Sequence, residues 1–218
     1  MKLRSYLTKF AAALFTGALA ATTLATVPAH AETAAGEQSL AAVLTADGGG
    51  AFDHNWYDYD IVTQAVLAVV AAKPDSNVKL LTDGSVALTA FIPNDRAFRL
   101  LAHDLTHKWY GSEKKVFDKL VAKLGVDAIE KVLLYHVVPG GPILANDALK
   151  ANKVKLPTAL PGASIKVSVK GKNVPVITLR DRDHNDANPK VNPWQTDINA
   201  GNKQVAHGIT RVLRPINL

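Results

Sequence analysis

The positions of apolar residues along the chain predict helices in its first half and strands in its second. Apolar residues recur at a helical period in five stretches: residues 39–45, 60–73, 95–110, 112–125 and 127–134. Alternating or continuous short apolar runs predict strands at residues 78–81, 86–92, 135–138, 154–156, 165–169, 174–179 and 205–213. Because the helices precede most of the strands, this order favours an α+β architecture over a parallel α/β sheet.

Capping residues set the expected ends of the helices. Asn94 or Asp95 begins the helix that follows the apolar run ending at Pro93, and Gly111 ends it after Tyr110. A capping box formed by Asp127 and Glu130 begins a short helix before Tyr135.

Two segments of the chain carry a recognisable pattern. The first is Thr89-Ala-Phe-Ile-Pro-Asn-Asp-Arg-Ala-Phe98, and the second is Leu134-Tyr-His-Val-Val-Pro-Gly140. Together they resemble the two signature segments of fasciclin-like domains, which are extracellular adhesion modules. The matching positions of the first segment are Thr89, Phe91, Pro93, Asp95, Ala97 and Phe98, and Asn94 is the adjacent cap.

A third segment, residues 206–215, resembles the closing segment of the same family. It keeps His207 but carries Thr210 and Arg214 where the family has Asp and Leu. The resemblance covers about residues 38–216, and it implies a wedge-shaped sandwich of two small sheets flanked by helices. We therefore expect a fasciclin-like domain over residues 38–218, preceded by a flexible tail over residues 32–37.

The N-terminus is typical of a cleaved export signal. Basic residues precede a stretch rich in Ala, Leu and Thr, and Ala29-His30-Ala31 is an A-x-A cleavage site. This predicts a signal peptide over residues 1–31, a secreted protein and no membrane span in the mature chain.

Composition narrows the class of protein. The chain contains no cysteine, so an exported form must be stabilised by its core alone, and a bacterial origin is expected. The net charge is +6, and removal of the three cations in the predicted signal halves it. Such a mild excess does not indicate nucleic-acid binding.

Tyr135 and His136 allow two interpretations. In a strand their side chains point to opposite faces, so His136 could hydrogen-bond near Asn94 or Asp95 and hold the segments together. Alternatively, the resemblance implies that this segment contributes to adhesion, and both residues are therefore candidate binding residues.

Two patterns raise the question of metal binding. His103 and His107 are four residues apart on a predicted helix, but no third zinc ligand is evident, and exposed histidines are the alternative. Oxygen-bearing residues at positions 181, 183 and 185 follow the spacing of a calcium loop, yet Asp186 and Asn192 stand where that loop needs Gly and Glu. We expect no metal and no cofactor.

Aromatic residues supply the remaining binding candidates. Trp194 lies in the long polar stretch 181–196, where it is either an exposed contact or part of a lid on the sheet. Trp56 lies among acidic residues before a predicted helix, where it either stacks on a sugar or packs against the helix entry.

The motifs of common enzyme classes are absent from the sequence. It has no G-x-S-x-G, no phosphate-binding loop, no G-x-G-x-x-G and no cysteine nucleophile. We expect a non-catalytic module for adhesion to an extracellular protein or polysaccharide. The alternative is a secreted protein that binds a small ligand or lipid in a pocket between helix and sheet.

Overall fold

The computed structural model describes residues 35–46 and 50–217. The predicted signal peptide and residues 32–34 of the predicted tail lie outside these ranges. Residues 36–38, in contrast, are held by hydrogen bonds. The N–H of Gly36 donates to the carbonyl oxygen of Gly201 at 2.8 Å, and the N–H of Gln38 donates to Oδ1 of Asn202 at 3.0 Å. The end of the predicted tail is therefore paired with residues near the C-terminus.

Five α-helices lie within the described residues. They are α1 (Leu40–Ala46), α2 (Asp60–Ala72), α3 (Asp95–Thr106), α4 (Glu113–Tyr135) and α5 (Ala145–Lys150). Gly125 interrupts α4 with φ of 73° and ψ of 165°, at the boundary that the sequence predicts between two helices. A positive φ of this kind favours glycine, because a side chain at that position is strained.

Six strands, within the same described ranges, form two three-stranded sheets. They are β1 (Leu88–Pro93), β2 (Val137–Pro139), β3 (Lys155–Pro157), β4 (Ser164–Lys170), β5 (Val176–Arg180) and β6 (Gln204–Ile209). The first sheet has the order β2-β1-β6, in which β1 is antiparallel to β2 and parallel to β6. The second sheet has the order β3-β4-β5 and is antiparallel. The expected α+β architecture with two small sheets is confirmed.

Strand β1 is buried along its whole length because it separates two hydrophobic clusters. Leu88, Ala90 and Ile92 face the cluster formed with α1 to α4, whereas Phe91 faces the cluster between the two sheets. Successive side chains of a strand point to opposite faces, so a strand with two buried faces is a continuous apolar run. This explains why the first signature segment is apolar up to its proline.

The two signature segments meet in the first sheet. Thr89 is paired with Val138 in the antiparallel register, and the N–H of Phe91 donates to the carbonyl oxygen of His136 at 2.9 Å. The sequence-based expectation that these segments come together in space is therefore confirmed.

Several expected elements differ in the structure. Residues 78–81 are not a strand but part of a 3-10 helix, Asn77–Thr82, which buries Val78 and Leu81 at the three-residue spacing of such a helix. Helix α3 ends at Thr106 rather than near Tyr110, because His107 adopts a left-handed conformation with φ of 57°. Helix α5 has no counterpart among the predicted elements.

Candidate functional site

The signature residues of the first segment are buried and serve the fold. Thr89 is fully buried, and its hydroxyl donates to the carbonyl oxygen of Gly141 at 2.9 Å and accepts from the N–H of Ile143 at 2.7 Å. Pro93 ends β1 opposite Ile209, and Phe98 is buried against the helices. These three residues fix the turn after β2 and the packing of α3.

Asn94 and Asp95 cap two different helices. Oδ1 of Asn94 accepts from the N–H of Ala97 at 3.0 Å, which caps α3 as expected. Oδ1 of Asp95 accepts from the N–H of Ile61 at 3.0 Å, so this residue of α3 caps the start of α2. The motif therefore holds two helix N-termini next to each other.

The sequence predicts a strand at Tyr135 and His136, but the structure places both residues at the end of α4. Tyr135 is the last residue of α4 and is fully buried, and its hydroxyl donates to the carbonyl oxygen of Ser164 at 3.1 Å. His136 caps the helix and is 5% exposed. The helix extends this far because Val132, Leu133 and Leu134 all find buried positions.

Both ring nitrogens of His136 are occupied. Nδ1 lies 2.7 Å from the carbonyl oxygen of Val132, and Nε2 accepts from the N–H of Leu213 at 2.9 Å. Burial lowers the pKa of His136 to about 4, so the ring is neutral, with Nδ1 as its donor. Its partners are therefore not Asn94 or Asp95, and its burial argues against a binding role for this pair.

His207 has a comparable position in the closing segment. Its Nε2 lies 2.8 Å from the carbonyl oxygen of Ile143, and its Nδ1 accepts from the N–H of Asp197 at 3.3 Å. The ring is packed against Phe91, with 5.9 Å between ring centroids, and burial lowers its pKa. His207 thus connects β6 with the segment that follows β2.

Exposed aromatic side chains mark the surface. Trp194 is 91% exposed and Tyr57 is 64% exposed. Their loops are in contact, because Nε2 of Gln195 donates to the carbonyl oxygen of Tyr57 at 2.9 Å. Of the two interpretations of Trp194, an exposed contact and a lid, the structure supports the exposed contact.

A second group of rings is linked to the first through Trp56, which directly precedes Tyr57 in the chain. The guanidinium of Arg99 lies 4.6 Å from the ring centroid of Trp56 and 5.5 Å from that of Trp109. His103 stacks on Trp109, with 4.0 Å between ring centroids. Trp56 is partly buried against the core, as expected for a residue at a helix entry, whereas Trp109 is 57% exposed.

We refer to Trp194, Tyr57, Trp109 and Trp56 with Arg99 as the aromatic surface. The sequence does not indicate Trp109 as a binding candidate, because the predicted helix 95–110 includes it. The early end of α3 also removes the basis for a zinc pair, since His107 is a left-handed cap and His103 is stacked on tryptophan.

An open apolar groove of about 530 Å³ lies next to Trp194. It is bounded by α5, β5 and the segment 190–196, and its walls include Leu149, Val176 and Pro193. Val174, also in the groove, is 77% exposed. The groove is large enough for a small ligand but is open to solvent.

The space between helix and sheet is nearly filled. The cavity lined by residues of α3, α4 and β1 has a volume of about 20 Å³, which is close to the space for one water molecule. The expected alternative site, a ligand pocket between helix and sheet, is therefore not supported at this position.

The carboxylates of the 181–196 loop bind arginines. Arg214 is buried, and its guanidinium donates to Asp183 at 3.1 Å and to Asp104 at 2.5 Å and lies 3.0 Å from Asp186. Arg211 also pairs with Asp186, at 2.8 Å. We call this group the arginine-paired cluster.

The pairing with arginine explains why acidic side chains gather in this loop, and the explanation does not require a calcium ion. Oδ2 of Asp181 accepts from the N–H of Arg214 at 2.9 Å, and the side chain of Asp183 is fully buried against the guanidinium. The carboxylates of Asp181 and Asp183, two of the three residues with calcium-loop spacing, are thus satisfied by the protein itself. Arg214, a departure from the family pattern, is the residue that supplies the compensating charge.

Comparison with known proteins places the chain in a family. The sequence pattern of the fasciclin domain matches residues 62–215, and the chain therefore belongs to the fasciclin domain family. Among solved structures it is similar to a FAS1 domain pair from the insect cell adhesion molecule fasciclin I, at 18% identity and a TM-score of 0.44. That match covers 69% of this chain and 44% of the other, so the chain spans less than half of the solved pair. No curated protein matches the chain.

Family membership sets the general class of function. Fasciclin domains are generally involved in cell adhesion or surface interaction, are generally non-catalytic and occur in extracellular or surface proteins. Within residues 35–46 and 50–217, no helix combines the length and the apolar character that a membrane crossing needs.

Proposed function

We propose that this protein is a secreted, non-catalytic adhesion module that binds an extracellular polysaccharide through the aromatic surface. The exposure of Trp194, at 91%, is the observation that carries the proposal. Covering an exposed indole ring on binding removes its apolar face from water, which favours the complex. The flat face of the ring matches the apolar face of a sugar ring.

The neighbours of these rings favour polysaccharide over protein. Polar groups surround the aromatic side chains, including Gln195 beside Tyr57 and Arg99 between Trp56 and Trp109. Hydroxyl-rich ligands need such donors and acceptors next to each stacking face. The core of a protein interface, in contrast, is usually a fully buried apolar patch with few polar groups.

Binding to immobilised polysaccharides and matrix proteins tests this proposal. We expect Trp194→Ala, Tyr57→Ala and Trp109→Ala each to reduce polysaccharide binding with no change in the thermal midpoint, because all three side chains are exposed. Ile216→Ala is the matched control, since Ile216 is an exposed apolar residue at 61% outside the aromatic surface. Unchanged binding in all three variants would reject the aromatic surface as the contact.

A second candidate function is the binding of a small apolar ligand. It is favoured by the open groove, where Val174 and Val176 are exposed and line a volume of about 530 Å³. Val174→Thr keeps the shape of the side chain but adds a hydroxyl. It should therefore weaken binding of an apolar fluorescent probe, whereas Trp109→Ala, which is outside the groove, should not.

A further inference from the structure

Three helices of the first cluster begin with an acidic residue, and their carboxylates converge. Asp60 begins α2, Asp95 begins α3 and Glu113 begins α4. Carboxylate oxygens from these three residues all lie within 4.8 Å of one another. A second such group, Asp53, Asp58 and Asp60, shares Asp60 with the first. We call these five residues the carboxylate cluster.

Three members of the cluster are buried, and two of their oxygens lack partners. Asp60, Asp95 and Glu113 are 3%, 0% and 1% exposed. Oδ2 of Asp60 and Oε1 of Glu113 are buried without a hydrogen-bond partner among the described residues, whereas the carboxyl group of Asp95 hydrogen-bonds to that of Asp58. A buried unpaired polar atom is costly, and native structures contain few of them, so two in one place require an explanation.

The other oxygens of the same residues are occupied. The N–H of Ile61 donates to Oδ1 of Asp95, and the N–H of His54 donates to Oε2 of Glu113, each at 3.0 Å. The backbone of Asp53 also donates to the carboxylate of Asp60, so each of the three carboxylates is held by a backbone N–H. Helix dipoles and these bonds explain why acidic residues are tolerated here, but they do not satisfy the remaining oxygens.

No basic side chain compensates the cluster. Among the ion pairs of the described residues, none involves Asp53, Asp58, Asp60, Asp95 or Glu113. These five carboxyl groups therefore converge with no cation paired to them in this part of the chain.

We propose that Asp60, Asp95 and Glu113, with Asp53 and Asp58 beside them, form a binding site for one calcium ion. Calcium binds six to eight oxygens at about 2.3–2.6 Å, so two oxygens bound to the same ion lie at most about 5 Å apart. The carboxylate oxygens of Asp60, Asp95 and Glu113, all within 4.8 Å of one another, are compatible with this geometry. Zinc prefers nitrogen and sulfur ligands, and magnesium retains several waters, which a buried cluster has little room to accommodate.

The ion would connect the starts of α2, α3 and α4 with the loop 53–59. That loop already contacts α3, since the N–H of Asp95 donates to the carbonyl oxygen of Asp58 at 3.0 Å and the N–H of Arg96 to that of Trp56 at 2.8 Å. Trp56 and Tyr57 lie in the same loop. Calcium would therefore stabilise the segment that presents two residues of the aromatic surface.

Calorimetric titration of the chelator-treated full chain with calcium chloride tests the site. We expect one calcium ion to bind per chain. At free calcium about 100 times the dissociation constant, the thermal midpoint should rise by about 5–10 °C relative to chelator. Magnesium should bind more weakly than calcium.

Two variants locate the site. Glu113→Gln and Asp60→Asn keep the size of each side chain and should weaken calcium binding by more than about 100-fold. Circular dichroism in chelator checks that each variant is folded, and either variant alone suffices. Asp118→Asn is the matched control, because Asp118 is an exposed carboxylate on the same helix as Glu113.

Three results would overturn the proposal. The first is the absence of both calcium heat and a thermal shift in the wild-type chain, which would leave protons and helix dipoles to satisfy the carboxylates. The second is unchanged calcium binding in folded Glu113→Gln. The third is a loss of binding in Asp186→Asn, which would place the calcium ion at the 181–196 loop instead.

Discussion

Two groups of carboxylates in this domain contain buried members, and their charges are compensated in different ways. In the arginine-paired cluster, Asp104, Asp183 and Asp186 surround Arg214, so the charges are balanced by the chain itself. In the carboxylate cluster, the carboxylates of Asp60, Asp95 and Glu113 face one another with unpaired oxygens. A buried acidic side chain therefore belongs to a completed structural contact in the arginine-paired cluster. In the carboxylate cluster it belongs to the calcium site proposed above.

The largest effect expected from this comparison follows removal of the compensating charge. Arg214→Met leaves Asp183 buried without its cation and should lower the free energy of unfolding by about 3–5 kcal/mol. Urea unfolding at neutral pH measures the loss. Arg180→Met is the control, because Arg180 is exposed at the end of β5, and it should change stability little. A similar loss in both variants would show that the arginine-paired cluster has no special role.

The second effect is the pH dependence of stability that comes from His136, which belongs to neither cluster. It must be measured separately, because histidine titrates in the same pH range as carboxylates whose pKa is raised. The pKa of buried His136 is lowered to about 4, against about 6.5 in the unfolded chain. Below pH 6.5 the unfolded chain takes up a proton that the folded chain refuses. The folded state should therefore lose about 3 kcal/mol between pH 6.5 and pH 4 from this residue.

Unfolding in urea at several pH values, in wild type and His136→Gln, measures this pH-dependent loss of stability. The wild-type curve should fall more steeply below pH 6.5 than the variant curve. Parallel curves would mean that His136 does not remain neutral in the folded protein.

A smaller effect of opposite sign is expected in the carboxylate cluster. Glu113→Gln in chelator should raise the free energy of unfolding by about 1 kcal/mol, because it removes an uncompensated acidic group and gives neighbouring oxygens an amide donor. Urea unfolding in chelator checks the sign, with Asp118→Asn as the control. A clear loss of stability would mean that Glu113, like the carboxylates around Arg214, is already compensated within the folded chain.

The smallest effect is expected at the surface. Lys114 and Asp118 form an exposed pair on α4 at 2.7 Å. Lys114→Ala should change the free energy of unfolding by about 0.5 kcal/mol or less, since water screens such pairs. A change as large as that of Arg214→Met would contradict the view that burial, rather than pairing itself, decides the size of these effects.

Local pattern and the signature segments predict much of the fold. They indicate the α+β class, most helices and the contact between β1 and β2. The errors lie where tertiary contacts override local pattern. Val78 and Leu81 are apolar enough for a strand but find their buried positions in a 3-10 helix. Tyr135 continues α4 because the three residues before it are buried in helical positions, and its hydroxyl reaches Ser164.

The candidate sites are less accessible to sequence reasoning. The long polar loop makes Trp194 a binding candidate but leaves its exposure open, whereas the exposure of Trp109 depends on the unexpected end of α3. The carboxylate cluster combines residues that are far apart in the chain, and each of them is also an ordinary residue for a helix start. Only the convergence of three helix N-termini distinguishes the cluster from three separate caps.

The parallel pairing of β1 with β6 has a consequence for how the chain folds. Leu88, at the start of β1, is paired with Gln204, at the start of β6, and Nε2 of Gln204 also donates to the carbonyl oxygen of Val86, which is 118 residues earlier. Contacts of such long range slow folding, because a long loop must close before they form. The first sheet cannot be completed until nearly the whole chain has been synthesised. A shortened chain that ends before β6 should therefore leave one edge of β1 unpaired, as a template for aggregation.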